Sequence, residues 1–297
     1  MRTLAQELKD IFGKRVQKLP LDGGFTCPNR ESGSGCLFCS ERGSGEFTLK
    51  GHITEQLNLQ KQRLAHKWPG SLYLAYFQNF TGTYGPIDKL RSIYEEAIAD
   101  DEVVGLAIAT RVDCLGEDVL DLLEDIKNRT FLWLELGLQS VNPDVMKQMN
   151  LGYTVEDYVE TMSKLRERRI PVVTHMILGL PGSTFQDEME TAAMILKEKS
   201  WGVKIHGLYV QKGAPLAKIY ENGEYVPLER DEYIHRVTDI LELFGDEVVI
   251  HRLTGDPPHD ELLAPLWMKD KRRVLGSIQK ELARRKRISS LNKRLTR

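Results

Sequence analysis

Apolar runs rich in Val, Ile, Leu and aromatic residues recur along the chain. They are SLYLAYFQ (Ser71 to Gln78), VVGLAIAT (Val103 to Thr110), FLWLELGLQ (Phe131 to Gln139), PVVTHMILGLP (Pro171 to Pro181) and VKIHGLYVQ (Val203 to Gln211). Each is short, nearly continuous and bounded by Gly or polar residues, the pattern of a strand buried on both faces of a parallel sheet. Amphipathic stretches of helical period lie between them: PIDKLRSIYEEAIAD, GEDVLDLLEDIKN, VEDYVETMSKLRERR and TFQDEMETAAMILKEK. Ser183 or Thr184 is expected to cap the last of these, with acids in its first turn. With an earlier strand expected near Arg15 to Leu19, strand and helix alternate through about six βα units, and right-handed crossovers then give one parallel sheet, doubly wound or curled toward a barrel. After Lys212 the alternation weakens: LERDEYIHRVTDILELF reads as a helix, EVVIHRL as a strand and the basic C-terminal stretch as a helix. The expected division is a core over 1–216 and an extension over 217–297 packed on it, ending in a basic tail over 269–297.

In such sheets the reactive groups sit at the carboxyl ends of the strands. That singles out Gln78 and Asn79, Arg111 and Asp113, Gln139 and Ser140, Gly182 and Ser183, and Gln211 and Lys212. The segment GFTCPNRESGSGCLFCSERG follows the first strand and falls on the same rim. It holds three of the chain's four cysteines, Cys27, Cys36 and Cys39, with gaps of eight and two residues. At 297 residues, 41% hydrophobic and 28% charged, the chain has enough core not to need disulfide staples. It has no apolar run of membrane-spanning length, and its N-terminus lacks the apolar core of a secretory signal, so a cytoplasmic protein with reduced thiols is expected. Clustered cysteines then read as metal ligands. A zinc site wants four ligands, and His52 or a distant residue would have to complete the set. A 4Fe–4S cluster held by three cysteines instead leaves one iron open to a small molecule. Spacing alone does not choose between the two. Cys114, far downstream, reads as a small buried residue.

Charge adds a second feature. The net charge of −2 hides a tail from Lys269 to Arg297 with twelve basic and two acidic residues. It is either a solvated helix or an electrostatic arm for a polyanion. Helical phasing puts Arg273, Lys280, Arg284 and Arg287 on one stripe. Glu135, inside WLELG, is costly on a buried strand unless it is paired. His175 has apolar flanks and, alone, reads as a satisfied core histidine. Arg111 and Asp113, two apart at a strand end, point to the same face, where they pair or meet substrate.

Taken together these features resemble the radical S-adenosylmethionine (SAM) superfamily. The usual signature is CxxxCxxC; the longer C-x8-C-x2-C here is similar to that of members with expanded loops, including the Elongator-type catalytic subunit. FQNFTGTYGP, LELGLQS, THMILGLPGST and KIHGLYVQKGAPL resemble the family's second-, fourth-, fifth- and sixth-strand motifs, and the match runs from about Val16 to Leu216. Within the superfamily the chain resembles a bacterial YhcC/YtqA-type subfamily. The resemblance implies a partial (βα)6 TIM-like α/β barrel, with a 4Fe–4S cluster on Cys27, Cys36 and Cys39, and S-adenosylmethionine as the source of a 5′-deoxyadenosyl radical. It implies a tRNA substrate, the wobble uridine side chain, changed from a carboxymethylaminomethyl to an aminomethyl type. It also implies a reductant such as flavodoxin or ferredoxin, a functional link to a tRNA methyltransferase, and no membrane partner. Carried over residue by residue, Phe38 lies near the adenine, Gln78 on the strand that binds the methionyl amine, and Gln139 and Ser140 near the ribose and methionyl group. His175 falls near the ribose hydroxyls, the backbone from Gly179 to Gly182 near the adenine, and Glu135 is grouped with these cofactor contacts. One departure stands out: Leu151, in MNLGYT, replaces an Arg that binds the methionyl carboxylate in many relatives, and Arg111 is a candidate substitute. Two other readings are the same chemistry on a peptide or small metabolite, and a zinc-stabilised RNA-binding protein without catalysis.

Overall fold

The computed structural model describes residues 1–33, 35–40, 43 and 48–295, with side chains to 288. Ten strands are present among them: β1 (Arg2–Thr3), β2 (Val16–Leu21), β3 (Leu72–Phe77), β4 (Val103–Thr110), β5 (Phe131–Gln139), β6 (Val172–Leu178), β7 (Gly202–Gly207), β8 (Val210–Gln211), β9 (Val249–Arg252) and β10 (Leu262–Ala264). Eight form one sheet in the order β1-β9-β7-β6-β5-β4-β3-β2. All its pairings are parallel, and it curls into a half-barrel. The expected strands appear as β2 to β7 and β9. The segment after Leu216, expected to pack on the core, also supplies β9, which inserts between β7 and β1. The six-unit barrel therefore gains two strands at that edge, one from each end of the chain. The antiparallel pair β8 and β10 lies outside this sheet.

The run FLWLELGLQ shows how one sequence serves two faces. Leu132, Leu134, Leu136 and Leu138 are fully or almost fully buried in the layer between the sheet and its helices. The alternate residues, Trp133, Glu135, Gly137 and Gln139, point to the concave side, as period-2 geometry requires. The helices that cover the convex side are the amphipathic stretches read from the sequence: Ile87–Ile98, Glu117–Arg129, Val155–Glu167 and Phe185–Lys197. Thr184, not Ser183, caps the last of these in a reciprocal capping box with Asp187, and Thr154 and Asp157 do the same for Val155–Glu167.

The concave side is closed at its amino end by a second, smaller core. Leu74, Tyr76, Ala107, Trp133 and Val173 pack there with Leu8 from the helix Leu4–Phe12. Phe12 meets Phe131 edge-on at 5.6 Å, and Phe131 meets Trp133 at 5.8 Å. Thr3 caps this helix at its start and Gly13, at φ 68°, ends it. The helix thus acts as a plug at the amino end of the interior.

Leu8 is 2% exposed. Leu8→Ala is expected to cost about 2–5 kcal/mol, read from the urea unfolding midpoint. A loss below about 0.5 kcal/mol, the size of a surface substitution, would show that the helix does not seal the interior.

Candidate functional site

Above the plug the half-barrel encloses a cavity of about 250 Å³. Its mouth carries the cysteine loop. Cys27, Cys36 and Cys39 are free thiols, half-buried, and all three line the cavity. Cys27 precedes the short helix Pro28–Glu31, and its carbonyl accepts from Arg30 N at 2.9 Å and Glu31 N at 3.1 Å. Asn29 holds the loop: its Nδ2 donates to Asn150 O at 2.6 Å and to Cys36 Sγ at 3.4 Å. Asn150 Nδ2 returns a bond to Gly35 O at 2.7 Å, and Leu37 N donates to Met149 O at 3.1 Å. The loop is therefore stitched to the segment that follows β5.

The hydrogen bond from the Cys39 thiol is the main cause that lowers Cys36 to about 7, with Arg111 and Asn29 adding to it. The same hydrogen bond, with desolvation adding to it, raises Cys39 well above its ordinary value. One thiolate is thus available near neutrality, which suits metal ligation. Among the described residues no three His, Cys, Asp or Glu side chains converge on a point as a single metal ion would require, while the three thiols share one cavity. His52, the residue that would have completed a zinc set, is exposed at the start of the helix Ile53–Ala65 and does not line the cavity.

Phe38, Gln78, Glu135, Gln139 and His175 join the thiols in the lining. Gln139 ends β5 with φ 65°, and its Oε1 is buried without a partner. The side chain folds back over Gly137, where an added Cβ would lie 2.5 Å from its Nε2 and would displace the amide. Ser140 and Gly179 do not line the cavity. Ser140 is 3% exposed, and its Oγ accepts a turn bond from Asn142 N at 3.1 Å. Gly179 donates its N–H to Glu188 at 2.7 Å and faces Leu228, so its tight packing is toward the extension. Leu151 and Arg111 both line the cavity. Arg111 is 9% exposed, forms a two-pronged pair with Asp113 at 2.9 and 2.8 Å, and lies over the Tyr153 ring. Its Nη2 would be 3.3 Å from a Cβ on Gly152, which places the guanidinium beside the segment where Leu151 stands. Cys114 is half-buried rather than buried; burial pushes its thiol to about 12.

Deeper in the cavity lies a charged layer. Glu135 has no side-chain exposure. Its Oε2 accepts from Tyr76 Oη at 2.6 Å, from Lys204 Nζ, and lies 3.1 Å from His175 Nε2. Its Oε1 accepts from Trp133 Nε1 at 3.3 Å and faces Lys18 Nζ at 4.0 Å. Burial alone would raise the carboxyl; Lys204, then Lys18 and His175, overcome it and hold the group well below its ordinary value. Lys204, Tyr76 and Arg252 were not singled out from the sequence. A lysine inside the apolar run VKIHG carries the same signal as Glu135, a charge on a buried strand that needs a partner, so Lys204 was legible; the other two were not.

The tail residues Arg273, Lys280, Arg284 and Arg287 are exposed on the helix Lys271–Leu295, while Val274 and Ile278 are buried on its other side. Arg284 pairs with Glu281 at 2.7 Å. These residues are far from the thiols in sequence and do not line the cavity. The basic residues of the tail after 288 lie outside the described side chains.

Comparison with known proteins follows the same lines. The model of the radical SAM superfamily matches residues 24–195, and that of the Radical_SAM C-terminal domain matches 200–284. YtqA of Bacillus subtilis (strain 168) is 43% identical over 290 residues, 95% of this chain and 89% of that protein. The tRNA uridine(34) acetyltransferase of Dehalococcoides mccartyi is 28% identical over 177 residues, 59% of this chain but 38% of that protein. The structure of the archaeal Methanocaldococcus infernus Elp3 superposes with a TM-score of 0.66 at 18% identity, covering 90% of this chain and 63% of that one. At that identity the superposition speaks for the fold. No helix among the described residues is long and apolar enough to cross a membrane.

Burial lowers His175 from 6.5 to about 4. Between those values the unfolded chain binds a proton there and the folded chain does not, so stability falls as pH drops through this window. His175→Asn is expected to reduce the protons taken up on unfolding between pH 4 and 6.5 by about one, measured from urea unfolding across pH. An unchanged slope would mean that His175 is not held neutral.

Proposed function

The chain belongs to the radical SAM superfamily, whose members use a 4Fe–4S cluster and S-adenosylmethionine, and we propose that it is an enzyme modifying the wobble uridine side chain of tRNA. The observation that carries the reading is the meeting of three free thiols and buried, unpartnered polar atoms on a single cavity inside the half-barrel. The donor set fits the cluster: three soft sulfur ligands on one loop, one of them readily deprotonated. Cys27, Cys36 and Cys39 are its ligands in this reading. When bound, the two cofactors supply one-electron cleavage of a carbon–sulfur bond and so a radical able to take hydrogen from carbon.

The remaining work falls to the chain's own side chains. Gln139 offers its buried Oε1 to the methionyl ammonium, and Gln78 lines the same wall. Arg111, beside Leu151, supplies the cation for the methionyl carboxylate while Asp113 fixes its plane. Phe38 supplies an apolar face for the adenine. The plug under the floor keeps water from entering at the amino end. The family requires a reductant; flavodoxin or ferredoxin is our proposal for its identity.

The substrate assignment is supported by the similarity to the tRNA uridine(34) acetyltransferase and by the basic stripe on the last helix. A single-stranded loop presents splayed bases, the form of RNA that a cavity-forming enzyme takes up. We propose conversion of a carboxymethylaminomethyl to an aminomethyl side chain, with a methyltransferase acting on the product.

Nucleoside analysis of tRNA from a deletion strain tests this. The aminomethyl-type wobble uridine is expected to disappear and its carboxymethylaminomethyl precursor to accumulate. Unchanged wobble uridines in every tRNA would remove the substrate assignment.

A further inference from the structure

The floor of the cavity sets two basic side chains, Lys204 and Arg252, beside one fully buried carboxylate, Glu135. Glu135 is bracketed by Lys204 and Lys18. Arg252, at the end of β9, also lines the cavity, and it forms no ion pair among the described residues. The other acid on the lining, Asp256, is engaged by Lys271 at 2.8 Å. His206 lines the same floor, and its Nε2 is buried with no hydrogen-bond partner. Its ring centre lies 5.3 Å from that of His175, with the two planes tilted by 43°. Burial, reinforced by the charge of Arg252, holds His206 well below its ordinary value, so it is neutral and one of its ring nitrogens carries a proton to donate. A ring nitrogen buried without a partner, beside a guanidinium with no carboxylate against it among the described residues, is a place that an anion completes.

We propose that Arg252, together with Lys204 and His206, binds a carboxylate carried by the substrate, and that Glu135 is the fixed counter-charge that positions Lys204 for it. The assignment rests on the reading of the substrate as a modified uridine and names the part of it that is recognised. A planar guanidinium fork matches a carboxylate in geometry as well as charge. Phosphate is the other common anion of a polynucleotide, but phosphates lie on the outside of the chain. Only an extruded base and its substituent can reach the floor of a half-barrel whose amino end is plugged. With the methionyl carboxylate assigned to Arg111 at the mouth, the anion that suits the floor is one on the base substituent. Arg252 and Lys204 touch the substrate in this account; Glu135 acts through Lys204 and is a positioning residue.

Calorimetric titration of the anaerobically reconstituted protein tests the assignment without turnover. The probes are the free nucleosides 5-carboxymethylaminomethyluridine and 5-aminomethyluridine, the second also as its 5′-monophosphate. The carboxylate-bearing nucleoside is expected to bind about tenfold tighter than the amine, the worth of one well-placed charged contact. Arg252→Gln is expected to abolish that preference and Arg252→Lys to keep part of it. His206→Gln, read the same way, serves if Arg252→Gln does not fold. Equal binding of the two nucleosides, a preference that survives in Arg252→Gln, or an affinity gain that follows the 5′-phosphate would overturn the proposal. Anticodon stem-loops with each substituent separate it from the tRNA reading. Stem-loops that bind regardless of substituent leave the tRNA reading standing and sink this one. A carboxylate nucleoside that binds when no stem-loop does sinks the tRNA reading and leaves the floor site intact.

Discussion

A carboxylate without access to water has to be met by donors from the protein, and Glu135 draws them from across the half-barrel. Lys18 comes from β2, Tyr76 from β3, Trp133 from β5, His175 from β6 and Lys204 from β7. These strands do not all neighbour one another, so only a curled sheet brings their inward side chains to one point. The network does not have to be a net source of stability: desolvation and attraction nearly cancel in such clusters. What it does is penalise alternatives. Flattening the sheet, or shifting one strand by a residue, would strand a buried charge and cost about 3–5 kcal/mol.

Three layers follow along the inside of the sheet. The lowest is aromatic and apolar, sealed by the helix Leu4–Phe12. The middle is the charged layer around Glu135. The upper layer is the cavity, edged by the three thiols and by Arg111. Each layer sets the conditions for the next. The plug keeps the dielectric low around the charges, which strengthens every interaction there. The charges in turn leave Arg252 and the His206 imidazole facing the cavity. The cysteine loop is fixed to the opposite end by Asn29 and Asn150, so the distance between thiols and floor is set by strand length, not by a flexible hinge.

The parallel sheet and the thiol site were readable from the chain because they depend on local signals. Short apolar runs separated by amphipathic stretches leave few other folds, and three cysteines in a Gly- and Ser-rich loop have few other uses. FLWLELGLQ is instructive in the other direction. Read as a run buried on both faces, it hides the alternation of Leu with Trp, Glu, Gly and Gln that divides the convex side from the concave. Ser140 and Gly179, which the resemblance puts near the cofactor, stand outside the cavity lining: Ser140 Oγ accepts a turn bond from Asn142 N, and Gly179 packs against Leu228. Arg252 and Tyr76 could not be found from sequence, since their roles exist only once β9 and β3 stand on the same curved sheet. The same holds for the plug, whose helix looks like any amphipathic surface helix until the interior it covers is known.

The central claim is that Cys27, Cys36 and Cys39 alone hold an iron–sulfur cluster whose remaining iron is open to S-adenosylmethionine. Electron paramagnetic resonance of the anaerobically reconstituted, reduced protein, before and after adding S-adenosylmethionine, tests it most directly. About four irons per chain are expected, with a signal that changes when the cofactor is added and vanishes in each Cys→Ala variant. A colourless protein with one zinc per chain, or a cluster signal indifferent to S-adenosylmethionine, would contradict the account.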